Sequence, residues 1–129
     1  VDQTLPEEEL AKFIRPNTKC IFGETITNPT CNVLDIEKFA RLAHSHGLPL
    51  IIDNTFATPI NCRPFEFGCD IVVHSTTKYM DGHASGVGGC IVDSCKFDWM
   101  ANQMVHIMVL LMLSRLEKAL TSPRLLFNL

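Results

Sequence analysis

Three short apolar runs in this chain each end in side chains that can do chemistry. Glu24 and Asn28 follow Cys20-Ile21-Phe22, Asp53 follows Leu48 to Ile52, and Ser75, Thr77 and Lys78 follow Ile71-Val72-Val73. A carboxylate at the end of a buried strand needs a nearby cation or water, because an unpaired charge is costly away from solvent. Hydroxyls clustered in a turn make good phosphate ligands, and a lysine beside them adds positive charge. Taken residue by residue, the same features also describe a solvated turn with a surface lysine and a helix-capping aspartate, since most polar residues are exposed.

The elements between these groups give them a common place. Pro6 with Glu7, Glu8 and Glu9 predicts a helix start, because proline suits the first turn and acidic groups suit the positive end of the dipole. Leu10, Phe13 and Ile14 form its apolar face, and Pro16-Asn17 ends it. Thr18 to Thr25 reads as a buried strand. Asp35 caps a helix with Ile36, Phe39, Ala40 and Ala43 facing inward, and Gly47 and Pro49 follow its end. The runs ending at Asp53, at His74 and at Asp93 (Gly89 to Val92) are continuous rather than alternating, which predicts strands covered on both faces. The link from Asp35 to Gly47 has crossover length, so the expected class is α/β with a mostly parallel sheet. Strand order stays open, because the later links are shorter and less regular. In such sheets ligands collect beyond the carboxyl ends of the strands, which is where the candidate residues fall.

Composition excludes several classes of function. The chain has 129 residues, 47% hydrophobic and 19% charged, with 11 basic and 14 acidic side chains and a net charge of −3. This is globular composition, and no two basic residues are adjacent, which argues against a nucleic-acid surface. The longest apolar run, Ile107 to Leu113, is seven residues, too short to span a bilayer, and no secretory leader is visible. Six cysteines occur without a C-x-x-C pair; Cys20, Cys69 and Cys90 lie in or beside apolar runs and read as small buried hydrophobes, reduced in a cytoplasmic setting.

Three stretches carry a resemblance. Gly23-Glu24-Thr25-Ile26-Thr27-Asn28-Pro29, Leu50-Ile51-Ile52-Asp53-Asn54-Thr55-Phe56-Ala57-Thr58-Pro59 and Asp70-Ile71-Val72-Val73-His74-Ser75-Thr76-Thr77-Lys78-Tyr79 stand in register. Together they resemble the cysteine/methionine-metabolism family of pyridoxal-phosphate (PLP) enzymes. The later run Gly88 to Trp99 looks most like the O-acetylhomoserine sulfhydrylase branch. The resemblance implies the large PLP-binding domain of the aspartate-aminotransferase-like (fold type I) fold, of which residues 1–99 are a central part. It implies that Lys78 forms a Schiff base with the cofactor aldehyde and then moves protons on the substrate. Asp53 pairs with the pyridine nitrogen, Ser75 and Thr77 bind the phosphate, and Asn28 bonds the phenolic oxygen, with Glu24 and Thr55 as supports behind them. The implied reaction is γ-replacement on O-acetylhomoserine by sulfide or a thiol, giving homocysteine or methionine. A γ-elimination of the cystathionine or methionine lyase type, or a non-catalytic remnant that only associates, is the alternative. Family likeness also implies a homo-oligomer, dimer or tetramer, acting on small molecules.

Two other chemistries are weaker. Asp53, His74, Asp81 and His83 could be gathered around a metal, but no H-x-x-x-H or H-E-x-x-H spacing occurs and Lys78 would repel a cation. Gly82, Gly86, Gly88 and Gly89 make a glycine-rich loop, without either nucleotide-binding glycine motif. His44 and His46 suit a helix C-terminus. Residues 100–129 depart from the family pattern: Leu110, Leu113, Leu116 and Leu120 predict an amphipathic helix, and Met100, Met104, Met108 and Met112 recur at helical spacing as packing groups.

Overall fold

The computed structural model describes residues 1–83 and 85–100. The chain divides into a unit of Val1–Phe97 and a second of Asp98–Leu129. The sheet and its helices belong to the first unit, and the helix expected beyond Met100 lies outside the described residues.

A four-stranded sheet runs in the order β1 (Ile21–Glu24), β2 (Leu50–Asp53), β3 (Ile71–Ser75) and β4 (Gly89–Asp93). The first three strands are parallel and β4 is antiparallel to β3. Glu24 lies opposite Asp53, Asp53 opposite Val73, and Ser75 opposite Gly89, so three strand ends converge on one edge of the sheet. The β1–β2 crossover is helix α2 (Ile36–Ser45), preceded in the chain by α1 (Glu7–Ala11). A short helix α3 (Thr58–Asn61) and a 3₁₀ turn over Pro64–Phe67 link β2 to β3.

Helix α2 forms because its ends are specified and one face is apolar. Asp35 Oδ1 accepts the Lys38 backbone N–H at 3.0 Å, which satisfies one of the unpaired amides of the first turn. Gly47 then adopts φ 67°, a conformation that costs glycine little. Ile36, Phe39, Ala40, Leu42 and Ala43 are buried, and the helix packs on β2 and the 3₁₀ turn. Burying Phe39 or Leu42 contributes about 2 kcal/mol each. On the sheet the matching face is Leu50, Ile52, Val72 and His74, while Asp53, Val73 and Ser75 alternate to the other side.

Three sequence expectations change. Helix α1 stops at Ala11: Leu10 is buried, but Phe13 is 56% exposed, because the turn at Lys12 carries it off the helix face. β1 is an edge strand with Phe22 exposed, and Cys20 just before it is exposed too, so neither is a core residue. β4 is antiparallel and exposed along most of its length, with Ile91 57% and Val92 42% accessible. An apolar run reports what a strand needs covered and does not itself supply the cover. Cys69 alone of the three expected buried thiols is fully enclosed; Cys90 is half-buried. All six cysteines are unpaired.

Candidate functional site

Where β2 ends, its backbone leaves the sheet. Asn54 N–H still donates to Val73 C=O at 3.0 Å, as a parallel ladder requires, but Asn54 C=O turns away and accepts Thr58 N–H at 2.9 Å to start α3. The next rung would be Ser75 N–H to Asn54 C=O. Instead Ser75 N–H donates to Thr55 Oγ1 at 2.8 Å. The same threonine donates its own N–H to Asp53 Oδ1 at 2.9 Å. Asn54, fully buried, fixes this turn from below: its Oδ1 accepts Thr25 Oγ1–H at 2.8 Å and its amide donates to Cys62 C=O at 2.9 Å.

Splaying of the strand ends opens a cavity of about 210 Å3 lined by Glu24, Ile26, Asn28, Asp53, Thr55, Phe56, Ser75 and Lys78. Six of the seven residues singled out from the sequence therefore meet at one place. Lys78, 25 positions after Asp53, reaches it from the turn after β3, where its backbone N–H donates to Ser75 C=O. Lys78 Nζ makes no ion pair among the described residues. Glu24 Oε2 accepts Asn28 N–H at 3.1 Å and so shapes the loop that carries Asn28.

Thr77 stands apart from the other six. Its hydroxyl donates to Gly88 C=O at 3.2 Å and accepts Gly88 N–H at 2.9 Å, so it ties the lysine turn to the start of β4 and does not line the cavity. At Gly88 a Cβ would stand 2.6 Å from Thr76 Oγ1, so any side chain there would have to displace that hydroxyl.

Two wall residues escaped the reading of the sequence. Phe56 lines the cavity and packs against Tyr79, ring centroids 5.9 Å apart, and Ile26 lines the opposite loop. The available signal was an aromatic directly after a polar strand end, where no helical or strand periodicity gives it a core role. The metal-binding alternative is not assembled: Asp53 faces the cavity while His74 points to the other face of the sheet, buried against the α2 side. Among the described residues no group of three or more His, Cys, Asp or Glu is placed to hold a metal. The glycine loop spends its Gly88 N–H on Thr77. His44 has a structural partner, Nε2 lying 2.8 Å from Asp70 Oδ2.

A carboxylate, an uncommitted amine, a hydroxyl and an apolar wall around one cavity suit a ring with a cationic nitrogen, an aldehyde and an anionic arm. The donor set thus fits pyridoxal phosphate. Comparison with known proteins points the same way. An O-acetyl-L-homoserine sulfhydrylase of Corynebacterium glutamicum is 54% identical over 86 residues, covering 67% of this chain and 20% of that protein. A cystathionine gamma-lyase of Bacillus subtilis is 48% identical over 93 residues, covering 72% and 24%. A crystal structure from Campylobacter jejuni, named for O-acetylhomoserine (thiol)-lyase and containing N'-pyridoxyl-lysine-5'-monophosphate, superposes with a TM-score of 0.68 at 39% identity, covering 71% of this chain and 23% of that one. The chain spans about a fifth to a quarter of the length of these relatives. The sequence pattern described as Cys/Met metabolism PLP-dependent enzyme matches residues 1–117, and the chain belongs to that family, with an α/β sheet of the fold type I kind.

Proposed function

We propose that residues 1–99 form the cofactor-holding part of an enzyme that replaces the γ-substituent of O-acetylhomoserine with sulfide or a thiol, giving homocysteine or methionine. The observation that carries this reading is the meeting of Lys78, Asp53 and Ser75 in one cavity. The sulfhydrylase-like run Gly88 to Trp99 and the 54% identity to a sulfhydrylase favour replacement; the lyase relative at 48% supports γ-elimination as the second reading.

When bound, pyridoxal phosphate supplies a ring that delocalises the electron pair left by a departing α-proton. Asp53 would keep a proton at the ring nitrogen: Thr55 N–H occupies its Oδ1, and its Oδ2 has no partner among the described residues. Lys78 Nζ would hold the cofactor and, as a free amine, would carry the proton between substrate carbons. Holding this base beside the substrate is worth more than its basicity alone, since positioning removes most of the entropic cost of proton transfer. Asn28, which lines the cavity, would donate to the phenolic oxygen. Ser75 would donate its hydroxyl to the phosphate, while Thr77, whose hydroxyl is bonded to Gly88 in both directions, would hold the turn that carries Ser75 and Lys78. Phe56 and Ile26 exclude water from the wall of the site. The whole protein is read as a cytoplasmic homo-oligomer, dimer or tetramer, that handles an amino acid and a sulfur compound, not nucleic acid or membrane. The net charge of −3 argues against a nucleic-acid partner, and no helix among the described residues is long and apolar enough to cross a membrane.

The test is to add pyridoxal phosphate to the full chain, record the visible spectrum, reduce with borohydride and map the modified peptide. A visible band and an adduct on Lys78, both lost in Lys78→Ala, are expected. An adduct on another lysine, or none, overturns the assignment. With O-acetylhomoserine and sulfide, homocysteine supports replacement, and 2-oxobutanoate with ammonia supports elimination.

A further inference from the structure

We infer that Thr55 is the positioning residue that couples the two ends of this site, setting the phosphate-binding Ser75 and the ring-binding Asp53 through one side chain and one amide. The inference rests on the cofactor reading above.

Its basis is the broken ladder between β2 and β3. Continuing the parallel pairing would give Ser75 N–H the Asn54 carbonyl. That carbonyl is already committed to Thr58 N–H at 2.9 Å, because the chain must enter α3 there. Ser75 N–H is left in a half-buried place, where an unpaired amide is costly, and Thr55 Oγ1 takes it at 2.8 Å. A hydroxyl reaches farther from its backbone than a carbonyl does. The substitution therefore lets the two strands part at this level while still holding Ser75, and the cavity lies in that gap.

The other half of the coupling is Thr55 N–H on Asp53 Oδ1 at 2.9 Å, which fixes the carboxylate plane and leaves one oxygen for a ligand. Thr55 itself is anchored because the residue before it, Asn54, is fully buried and bonded to both Thr25 and Cys62. A displacement of Thr55 is thus transmitted to the acid through its amide and to Ser75 through its hydroxyl. The two functions separate chemically: Thr55→Val keeps the amide and the branched shape and deletes only the hydroxyl acceptor, whereas Thr55→Ser keeps both.

The experiment measures binding of pyridoxal phosphate and of pyridoxal, which lacks the phosphate, to the full chain and to the two variants by visible absorbance, with thermal melts alongside. Thr55→Val should weaken pyridoxal phosphate about tenfold, the scale of one lost hydrogen bond. It should change pyridoxal binding much less, and Thr55→Ser should restore the unaltered ratio. Equal loss of both ligands in Thr55→Val, or no rescue by serine, overturns the coupling and leaves the cofactor reading standing. An unaltered chain that binds neither aldehyde overturns both.

Discussion

Thr25 Oγ1 donates to Asn54 Oδ1 across 2.8 Å, and both residues are shut away from solvent. This bond joins the exits of β1 and β2, the strands that deliver Glu24 and Asp53 to the cavity. Replacing Asn54 with alanine strips partners from the Thr25 hydroxyl and the Cys62 carbonyl at once. The expected cost is about 2–3 kcal/mol, because buried polar groups left unpaired lose their full solvation. Urea unfolding of the variant reads it, and a midpoint unchanged from the parent would show that the bond does not hold the strand ends.

Asp53→Asn separates charge from shape. The amide oxygen can still accept Thr55 N–H, so the turn is kept, while the negative charge facing the cavity is lost. The circular dichroism spectrum and melting point should stay near the parent values. Retention of pyridoxal phosphate through gel filtration should fall by about tenfold or more, in line with loss of a charge-assisted bond. Parent-like retention would remove Asp53 from its proposed role.

Much of this arrangement was legible from residue order, and the exceptions have physical reasons. Asp35 at a helix start and Gly47 at its end made α2 readable, and a helix of that length between two apolar runs implies a parallel pair. Lys78 and Asp53 could be placed together because both follow runs that end abruptly in polar residues. The direction of β4 was not readable, since the link from Ser75 to Gly89 carries no helical pattern. Phe22 and Ile91 read as core and are exposed, because periodicity records the apolarity of a strand and not which neighbours cover it. Thr77 was grouped with Ser75 by the family resemblance and by its place among the turn hydroxyls. Its partner, Gly88, comes from eleven residues further on, and only the pairing of β3 with β4 brings it close.

Asp70 is a buried carboxylate with two tasks. Its Oδ2 accepts Leu50 N–H at the start of β2 and lies 2.8 Å from His44 Nε2 at the end of α2. Alanine here leaves a buried strand amide unpaired, for an expected loss of about 2 kcal/mol, with little of it from the half-exposed histidine. Asparagine retains an acceptor for Leu50 and should lose less. Equal destabilisation of the two variants in chemical denaturation would contradict this division of labour.

Burial pushes the Cys69 thiol up to about 12 from an ordinary 9.0. Because the folded value is the higher one, the stability it contributes is complete below pH 9.0 and is lost as pH rises toward 12. Iodoacetamide at about pH 8 should alkylate the exposed Cys31 and Cys95 well before Cys69, as read by peptide mass mapping. Early labelling of Cys69 would mean that its strand end opens freely.

Gly68 closes the 3₁₀ turn at φ 90°, and a Cβ there would stand 3.1 Å from Ala40 Cβ of α2. Gly68→Ala should cost about 1–2 kcal/mol from backbone strain, with the added contact on top. A thermal melt settles it, and an unshifted midpoint would show that the turn can relax.

The pairing of Ser75 with Gly89 fixes both feet of the segment that bears Lys78, and Thr77 staples the same two feet from inside. Within it, Asp81 N–H donates to Thr76 C=O and Gly82 N–H to Lys78 C=O, both at 2.9 Å, which ties the first half of the excursion to the lysine turn. Extra residues grafted past these bonds, between Ser85 and Gly86, would lengthen an excursion whose closure entropy grows only as the logarithm of its size. The lysine would keep its post, which makes this tip the natural point for inserting a reporter or tether without disturbing the chemistry beneath it.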